Sequence, residues 1–159
     1  MRRGRRMKKE LQGDMVFDTS IFIEIIAGTY LGRKLMEILL DGKVNALTTE
    51  SNIAELSYIA CRKVGWERGK ENVQKITSSG YIEVLKIGSL LDRAAKMKCD
   101  RSISLVDCFT ITAGEVLGVD VLFAKREDEL ERELARKPFE VRLIFAEDLL
   151  AGRDKSESD

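Results

Sequence analysis

The stretch Met15-Val16-Phe17-Asp18-Thr19-Ser20 decides the fold, because three apolar residues end abruptly in a carboxylate. The residues that follow, 21–27, are mostly apolar and have a helical pattern. A buried strand that passes directly into a helix is typical of an open parallel α/β sheet, where ligands and metals bind at the carboxyl ends of the strands. Asp18, at the end of the first predicted strand, is therefore a candidate site residue.

Short apolar runs alternate with helical patterns along the rest of the chain. The alternation predicts strands at 15–18, 44–48, 81–85, 119–123 and 141–145, and helices at about 20–27, 31–41, 50–63, 67–79, 88–98, 104–117 and 127–135. Short strands separated by helices imply βαβ crossovers. The sequence thus predicts an α/β fold with a central, mostly parallel sheet that helices cover on both faces.

The two ends of the chain differ in composition from its middle. Residues 1–14 carry six basic side chains against two acidic ones, which predicts a flexible basic arm that either aids solubility or contacts nucleic acid. Residues 150–159 predict a polar tail. We therefore expect one domain over residues 15–149, a size that can bury a core without disulfides.

Composition excludes several kinds of chemistry. The chain has no His, so neither Ser-His-Asp catalysis nor the usual zinc frameworks are available. Its three cysteines are far apart, which favours a reducing cytoplasm, and no apolar run approaches the ~20 residues that cross a bilayer. With 27 basic and 27 acidic residues, nucleic-acid binding would need a local patch. The remaining options are carboxylates, hydroxyls, lysines and a metal with oxygen ligands.

Three acidic residues lie in apolar surroundings, and each has a structural alternative. Asp18 could simply cap the next helix. Glu55 lies at the margin of a helical stripe predicted to be buried, and a single Glu there is usually solvated. Asp107 opens a largely apolar helix, where Ser104-x-x-Asp107 also fits a capping box. The stripe beside Glu55 consists of Ile53, Leu56, Ala60 and Val64.

Taken together, the three acids indicate a metal site. Acids at a strand end, on a neighbouring helix and at the start of a buried helix would form a cluster of like charge, which is unfavourable without a cation. Hard divalent ions prefer carboxylate oxygens, and Mg²⁺ or Mn²⁺ held in this way supports phosphodiester hydrolysis.

The sequence resembles the PIN-domain family of nucleases, especially small VapC-like proteins, over roughly residues 15–148. The segments that carry the resemblance are Val16-Phe17-Asp18-Thr19-Ser20, Thr48-Thr49-Glu50-Ser51-Asn52-Ile53-Ala54-Glu55-Leu56, Ser104-Leu105-Val106-Asp107-Cys108 and the run at 113–123. The resemblance implies a three-layer α/β/α fold and Mg²⁺- or Mn²⁺-dependent cleavage of RNA. It implies that Asp18, Glu55 and Asp107 are metal ligands, with Thr19 or Ser20 positioning water or substrate beside the metal.

Partners are also implied by the resemblance. A VapC-like toxin would be silenced by an antitoxin that inserts a segment into the acidic site, and it would form a homodimer. Apolar positions on the helices at 31–41 and 53–64 could supply the dimer surface. The alternative is a PIN domain with weak or lost activity that binds RNA or protein.

The sequence departs from the family pattern after the fourth predicted strand. The family usually has a fourth acid there, but this chain has Arg126 at that position, followed by Glu127 and Asp128. Either acid could substitute, or both could simply favour the N-terminus of the next helix. Lys125 and Arg126 are candidates for phosphate contacts, or else belong to a solvated run of charges.

Overall fold

The computed structural model describes residues 11–154, without the side chains of 152–154. Five strands alternate with eight α-helices in these residues: β1 (Gly13–Phe17), α1 (Thr19–Ala27), α2 (Tyr30–Leu40), β2 (Val44–Thr49), α3 (Glu50–Val64), α4 (Trp66–Thr77), β3 (Ile82–Leu85), α5 (Leu91–Asp100), α6 (Leu105–Leu117), β4 (Asp120–Phe123), α7 (Asp128–Arg136), β5 (Leu143–Phe145) and α8 (Ala146–Asp154). A short 3₁₀ turn, Gly88–Leu90, precedes α5.

The five strands form one parallel sheet in the order β3-β2-β1-β4-β5. β1 is therefore central, and its apolar residues alternate between the two faces as strand geometry requires. Met15 and Phe17 pack into the hydrophobic cluster under α1–α4, whereas Val16 packs into the cluster under α5–α7. Two cores on opposite faces of one sheet confirm the predicted three-layer α/β/α fold.

The largest differences from the sequence expectation lie at three places. β1 begins at Gly13, within the segment expected to be an arm, while residues 1–10 of that segment lie outside the described residues. The helix expected at 88–98 is divided into the 3₁₀ turn and α5. The helix α8 was not expected, and it extends into the predicted tail, of which 155–159 lie outside the described residues.

The order of the strands fixes where a site can form. The chain adds β2 and β3 on one side of β1, and then returns to add β4 and β5 on the other side. Crevices form at such a topological switch point, outside the carboxyl ends of the adjacent strands. Here the switch point lies between β1 and β4, so the residues after Phe17 and Phe123 border it.

None of the helices in the described part of the chain is long and apolar enough to span a bilayer.

Candidate active site

Asp18 lies at the switch point and is held there by the backbone. Its N–H donates to the carbonyl oxygen of Leu122 in β4 at 2.9 Å, so the end of β1 is fixed against the neighbouring strand. One carboxylate oxygen, Oδ2, accepts a hydrogen bond from the Ser20 N–H at 2.9 Å and caps α1. The helix cap that the sequence offers as an alternative role for Asp18 is thus present, but it uses only one of the two carboxylate oxygens.

The other carboxylate oxygen of Asp18 is unusual. Oδ1 is buried and has no hydrogen-bond partner among the described residues, and the whole residue is only 5% exposed. Burial raises the pKa of the Asp18 carboxyl, although the Ser20 hydrogen bonds partly oppose this. A buried carboxylate oxygen without a partner is costly, and a cation is one of the few groups that could compensate for it.

Asp107 lies in the first turn of α6. Its backbone N–H donates to Ser104 Oγ at 3.0 Å, so Ser104 is the N-cap, as one half of the predicted capping box requires. Burial, and after it the charge of Asp18, raises the pKa of the Asp107 carboxyl to about 7. A carboxyl group that retains its proton near neutrality is typical of a functional site.

Glu55 and Glu127 complete the acidic cluster. The pKa of each is raised first by burial and then by the charge of Asp18. The charge of Glu127 also raises the pKa values of Asp107 and Glu55. Of the two acids considered as a fourth member, Glu127 is therefore the one whose charge acts on Asp107 and Glu55, whereas Asp128 is the first residue of α7.

The cluster has the right donors for a hard cation but is not arranged around one. Within residues 11–154, no three acidic or cysteine side chains are placed so that they could hold a metal ion together as they stand. Carboxylates carried by α3, α6 and the turn before α7 can change rotamer, whereas Asp18 is fixed by its cap. The unpartnered Oδ1 of Asp18 and the carboxylates of the three other acids therefore offer oxygen donors that suit a divalent ion once those three side chains reorient towards Asp18.

A buried hydrogen-bond network beneath the acids was not predicted. Asn52 Oδ1 accepts from the Thr19 hydroxyl at 2.9 Å and from the Thr110 hydroxyl at 3.0 Å. The Thr48 hydroxyl donates to the Phe17 carbonyl oxygen at 2.9 Å. These bonds join the end of β1, the end of β2, α3 and α6, which are the elements that position Asp18, Glu55 and Asp107.

The signal for this network was present in the sequence. Asn52 precedes Leu56 and Ala60 by four and eight residues, and all three are buried on one face of α3. A polar residue on an apolar stripe needs hydrogen-bond partners in the core. The stripe predicted from the sequence leaves out Asn52 and includes Val64, which is 44% exposed and so does not belong to the buried face.

The two hydroxyl residues after Asp18 are both engaged in holding the site together. Thr19 is fully buried, and its hydroxyl is bonded to Asn52 below the acids. Ser20 Oγ accepts from the Ala124 N–H at 3.0 Å, which joins the segments that follow β1 and β4.

The two basic residues near the site contact acids elsewhere. Lys125 is exposed and its ammonium lies 3.4 Å from a Glu24 carboxylate oxygen. Arg126 donates its backbone N–H to Glu147 at 2.7 Å and pairs with Asp148 at 2.8 Å, while its guanidinium lies over the Phe145 ring. Arg126 thus ties the turn after β4 to α8.

The fold and the site define a class: a three-layer α/β protein with an acidic centre at its topological switch point. The sequence profile described as PIN domain matches residues 15–133. The chain belongs to the PIN domain family, whose members are generally nucleases. A comparison with curated proteins finds no relative of significantly similar sequence.

Solved structures with the same fold include toxin–antitoxin proteins. VapBC2 from Rickettsia felis, bound to a promoter DNA fragment, superposes with a TM-score of 0.62 at 13% identity, covering 83% of this chain and 98% of that one. DNA-bound VapBC from Salmonella typhimurium gives 0.61 at 14% identity, covering 86% and 99%. VapC20 from Mycobacterium tuberculosis, a toxin that cleaves the sarcin–ricin loop, gives 0.59 at 18% identity, covering 74% and 94%. At these identities, the likeness shows the shared fold.

Proposed function

We propose that this protein is a metal-dependent endoribonuclease that hydrolyses RNA phosphodiester bonds at the acidic cluster. The observation that carries the proposal is the buried Asp18 Oδ1, which has no partner in the described residues and lies among three further carboxylates that its charge perturbs. Carboxylates concentrated at the switch point of a PIN domain support a site for Mg²⁺ or Mn²⁺.

Each acid has a distinct role in this proposal. Asp18 and Asp107 would hold the ion, with Glu55 in contact with it directly or through water, and Glu127 would complete the shell of a second ion. The metal would supply an activated water and would stabilise the leaving oxygen. The Asn52 network holds the supporting backbone rigid, so that Asp18 keeps its place when the charge of the substrate arrives.

The test is cleavage of a labelled RNA pool in Mn²⁺, Mg²⁺ or EDTA by the wild type, Asp107→Asn and Asp128→Asn. We expect metal-dependent cleavage that Asp107→Asn abolishes and Asp128→Asn retains, because only Asp107 belongs to the cluster. Equal cleavage by the wild type and Asp107→Asn would refute the assignment. Comparing Glu127→Gln with Asp128→Asn tests which of these two residues replaces the fourth acid of the family pattern, because only the variant at that position should lose activity.

A second candidate, a binding module with little activity, is favoured by one observation. The family's usual acid position is occupied by Arg126, which is bound to Glu147 and Asp148. Mn²⁺ distinguishes the two candidates, since a functional site should be stabilised against unfolding in proportion to its occupancy. Absence of any Mn²⁺-dependent rise in Tm would favour the binding module.

We also propose that the protein is the toxin of a toxin–antitoxin pair, acts in the cytoplasm and forms a homodimer. The likeness to VapBC complexes supports the antitoxin, and the three free cysteines fit a reducing compartment. Side chains on α2 could supply the dimer surface, since Tyr30, Met36 and Leu40 are 56%, 40% and 56% exposed. Sedimentation of the wild type and Met36→Glu would test the dimer, and arrest of growth on expression would test toxicity.

A further inference from the structure

The junction of α3 and α4 is an exposed basic segment in a chain with no net charge. Residues 62–68 are exposed without interruption. The segment from Tyr58 to Lys70 contains one acidic residue, Glu67, and four basic ones: Arg62, Lys63, Arg68 and Lys70. The local excess of positive charge is a patch of the kind that a neutral protein would need to bind a polyanion.

These basic side chains are not neutralised by the protein itself. Within residues 11–154, none of the four forms an ion pair, whereas Arg93, Arg126 and Arg142 elsewhere each pair with a carboxylate. Their charges are therefore available to phosphates.

Two large aromatic rings lie within the same segment. Tyr58 is 47% exposed and Trp66 is 54% exposed. The Arg62 guanidinium lies over the Tyr58 ring at 5.0 Å from its centroid, which presents a flat, positively charged platform. Exposed aromatic rings and guanidinium planes beside basic residues bind single strands, because every base can stack on them.

Helical geometry connects this platform with the acidic cluster. Tyr58 and Arg62 follow Glu55 by three and seven residues on α3, so all three lie on one face of the helix. At 1.5 Å per residue, their Cα atoms are displaced from that of Glu55 by about 4.5 Å and about 10.5 Å along the axis. Trp66 begins α4 just beyond the end of α3.

We propose that this face of α3 and the start of α4, defined by Tyr58, Arg62, Lys63 and Trp66, bind single-stranded RNA and lead it to the carboxylates. The inference rests on the proposed function for what becomes of the RNA, but the binding itself requires neither metal nor catalysis. Bases stack on Tyr58 and Trp66, and phosphates contact Arg62 and Lys63.

Trp66 provides a direct test, because it is the only tryptophan in the chain. Titration of the wild type with a short oligouridylate in EDTA should quench its fluorescence. Tyr58→Ala should weaken binding at least about fivefold, the lower end of the loss for one stacked base. Tyr81→Ala is the matched control, because Tyr81 is similarly exposed, at 49%, but lies outside the basic segment, just before the amino end of β3.

The charges are tested by salt dependence. The double variant Arg62→Gln/Lys63→Gln should reduce the slope of log K against log salt by about 1.4, since each phosphate contact on a single strand contributes about 0.7. Lys75→Gln, an exposed position at the other end of α4, should leave the slope unchanged.

Three results would overturn the inference: RNA that binds by anisotropy without affecting Trp66, equal binding by Tyr58→Ala and Tyr81→Ala, or Trp66 fluorescence that changes with protein concentration alone. The last result would mean that a second copy covers the segment. Failure of the two proposals is distinguishable. Quenching of Trp66 by RNA without cleavage in Mn²⁺ would support the binding face and refute the nuclease. Cleavage that Tyr58→Ala leaves unchanged would support the nuclease and refute the binding face.

Discussion

Replacing Asp107 by Asn should stabilise the metal-free protein, and more so at high pH. Burial and the charge of Asp18 raise the pKa of the Asp107 carboxyl from 3.8 to about 7. Between these values the folded state holds a proton that the unfolded state has released, so this group's contribution to stability falls as the pH rises. The loss is complete above about pH 7 and amounts to about 4 kcal/mol, at 1.36 kcal/mol per pKa unit.

The difference between two pH values isolates this effect. At pH 5 the Asp107 carboxyl lowers the free energy of unfolding by only about 1.7 kcal/mol. Asp107→Asn should therefore raise the free energy of unfolding by about 2–3 kcal/mol more at pH 8 than at pH 5. Urea unfolding in EDTA at both pH values measures this gain. Asp128→Asn, which removes an exposed acid from the start of α7, should lose a small and similar amount at both. If Asp107→Asn changed stability equally at both pH values, or destabilised the protein at pH 8, burial and the neighbouring charges would not raise the pKa of Asp107 as argued.

Three further predictions follow from the site and the helix packing. Mn²⁺ at a hundred times its Kd should stabilise the wild type by about 2.7 kcal/mol, which a thermal melt would show as a rise in Tm, and Asp18→Asn should abolish that rise. An equal rise in Tm for the wild type and the variant would show that Asp18 is not a metal ligand. Asn52→Ala should lower the free energy of unfolding by about 1–3 kcal/mol in urea, because the buried Thr19 hydroxyl loses its 2.9 Å acceptor and Thr110 keeps only the Val106 carbonyl oxygen. A loss below about 0.5 kcal/mol would contradict this. Gly32→Ala should lower the free energy of unfolding by about 3 kcal/mol, because the added Cβ would lie 1.9 Å from the Glu24 carbonyl oxygen. In the control Gly88→Ala, the added Cβ has no atom within 4 Å, so that variant should be nearly as stable as the wild type. Equal stability of the two variants would contradict the close approach of α1 and α2.

The layers of the fold could be predicted because the strands are short and buried on both faces. Met15, Val16 and Phe17 are at most 2% exposed, and a continuous apolar run of this kind is typical of a central parallel strand. The helix α8 could not be predicted in the same way, since its turns contribute few apolar residues to the core. Its first turn is held by Glu147 and Asp148, which bind Arg126 from a distant part of the chain.

The positions of the acids could be predicted because a carboxylate in an apolar segment is conspicuous. Their mutual electrostatic effects required the structure, since the return of the chain at the switch point brings Glu127 towards Asp18 from 109 residues further along the sequence. The choice between Glu127 and Asp128 is likewise a matter of where α7 begins, which no local pattern fixes to one residue.

For Asp18, a helix cap and a metal ligand are not mutually exclusive roles. From the sequence, a helix cap and a metal ligand were competing explanations of one carboxylate. In the structure Oδ2 caps α1, and the same hydrogen bond fixes the direction of Oδ1, which remains buried without a partner among the described residues. A ligand that cannot rotate away from its ion loses less conformational freedom on binding, so the cap would favour the proposed metal site. The cap and the proposed metal ligation are compatible because a carboxylate has two oxygens and the cap uses only one of them.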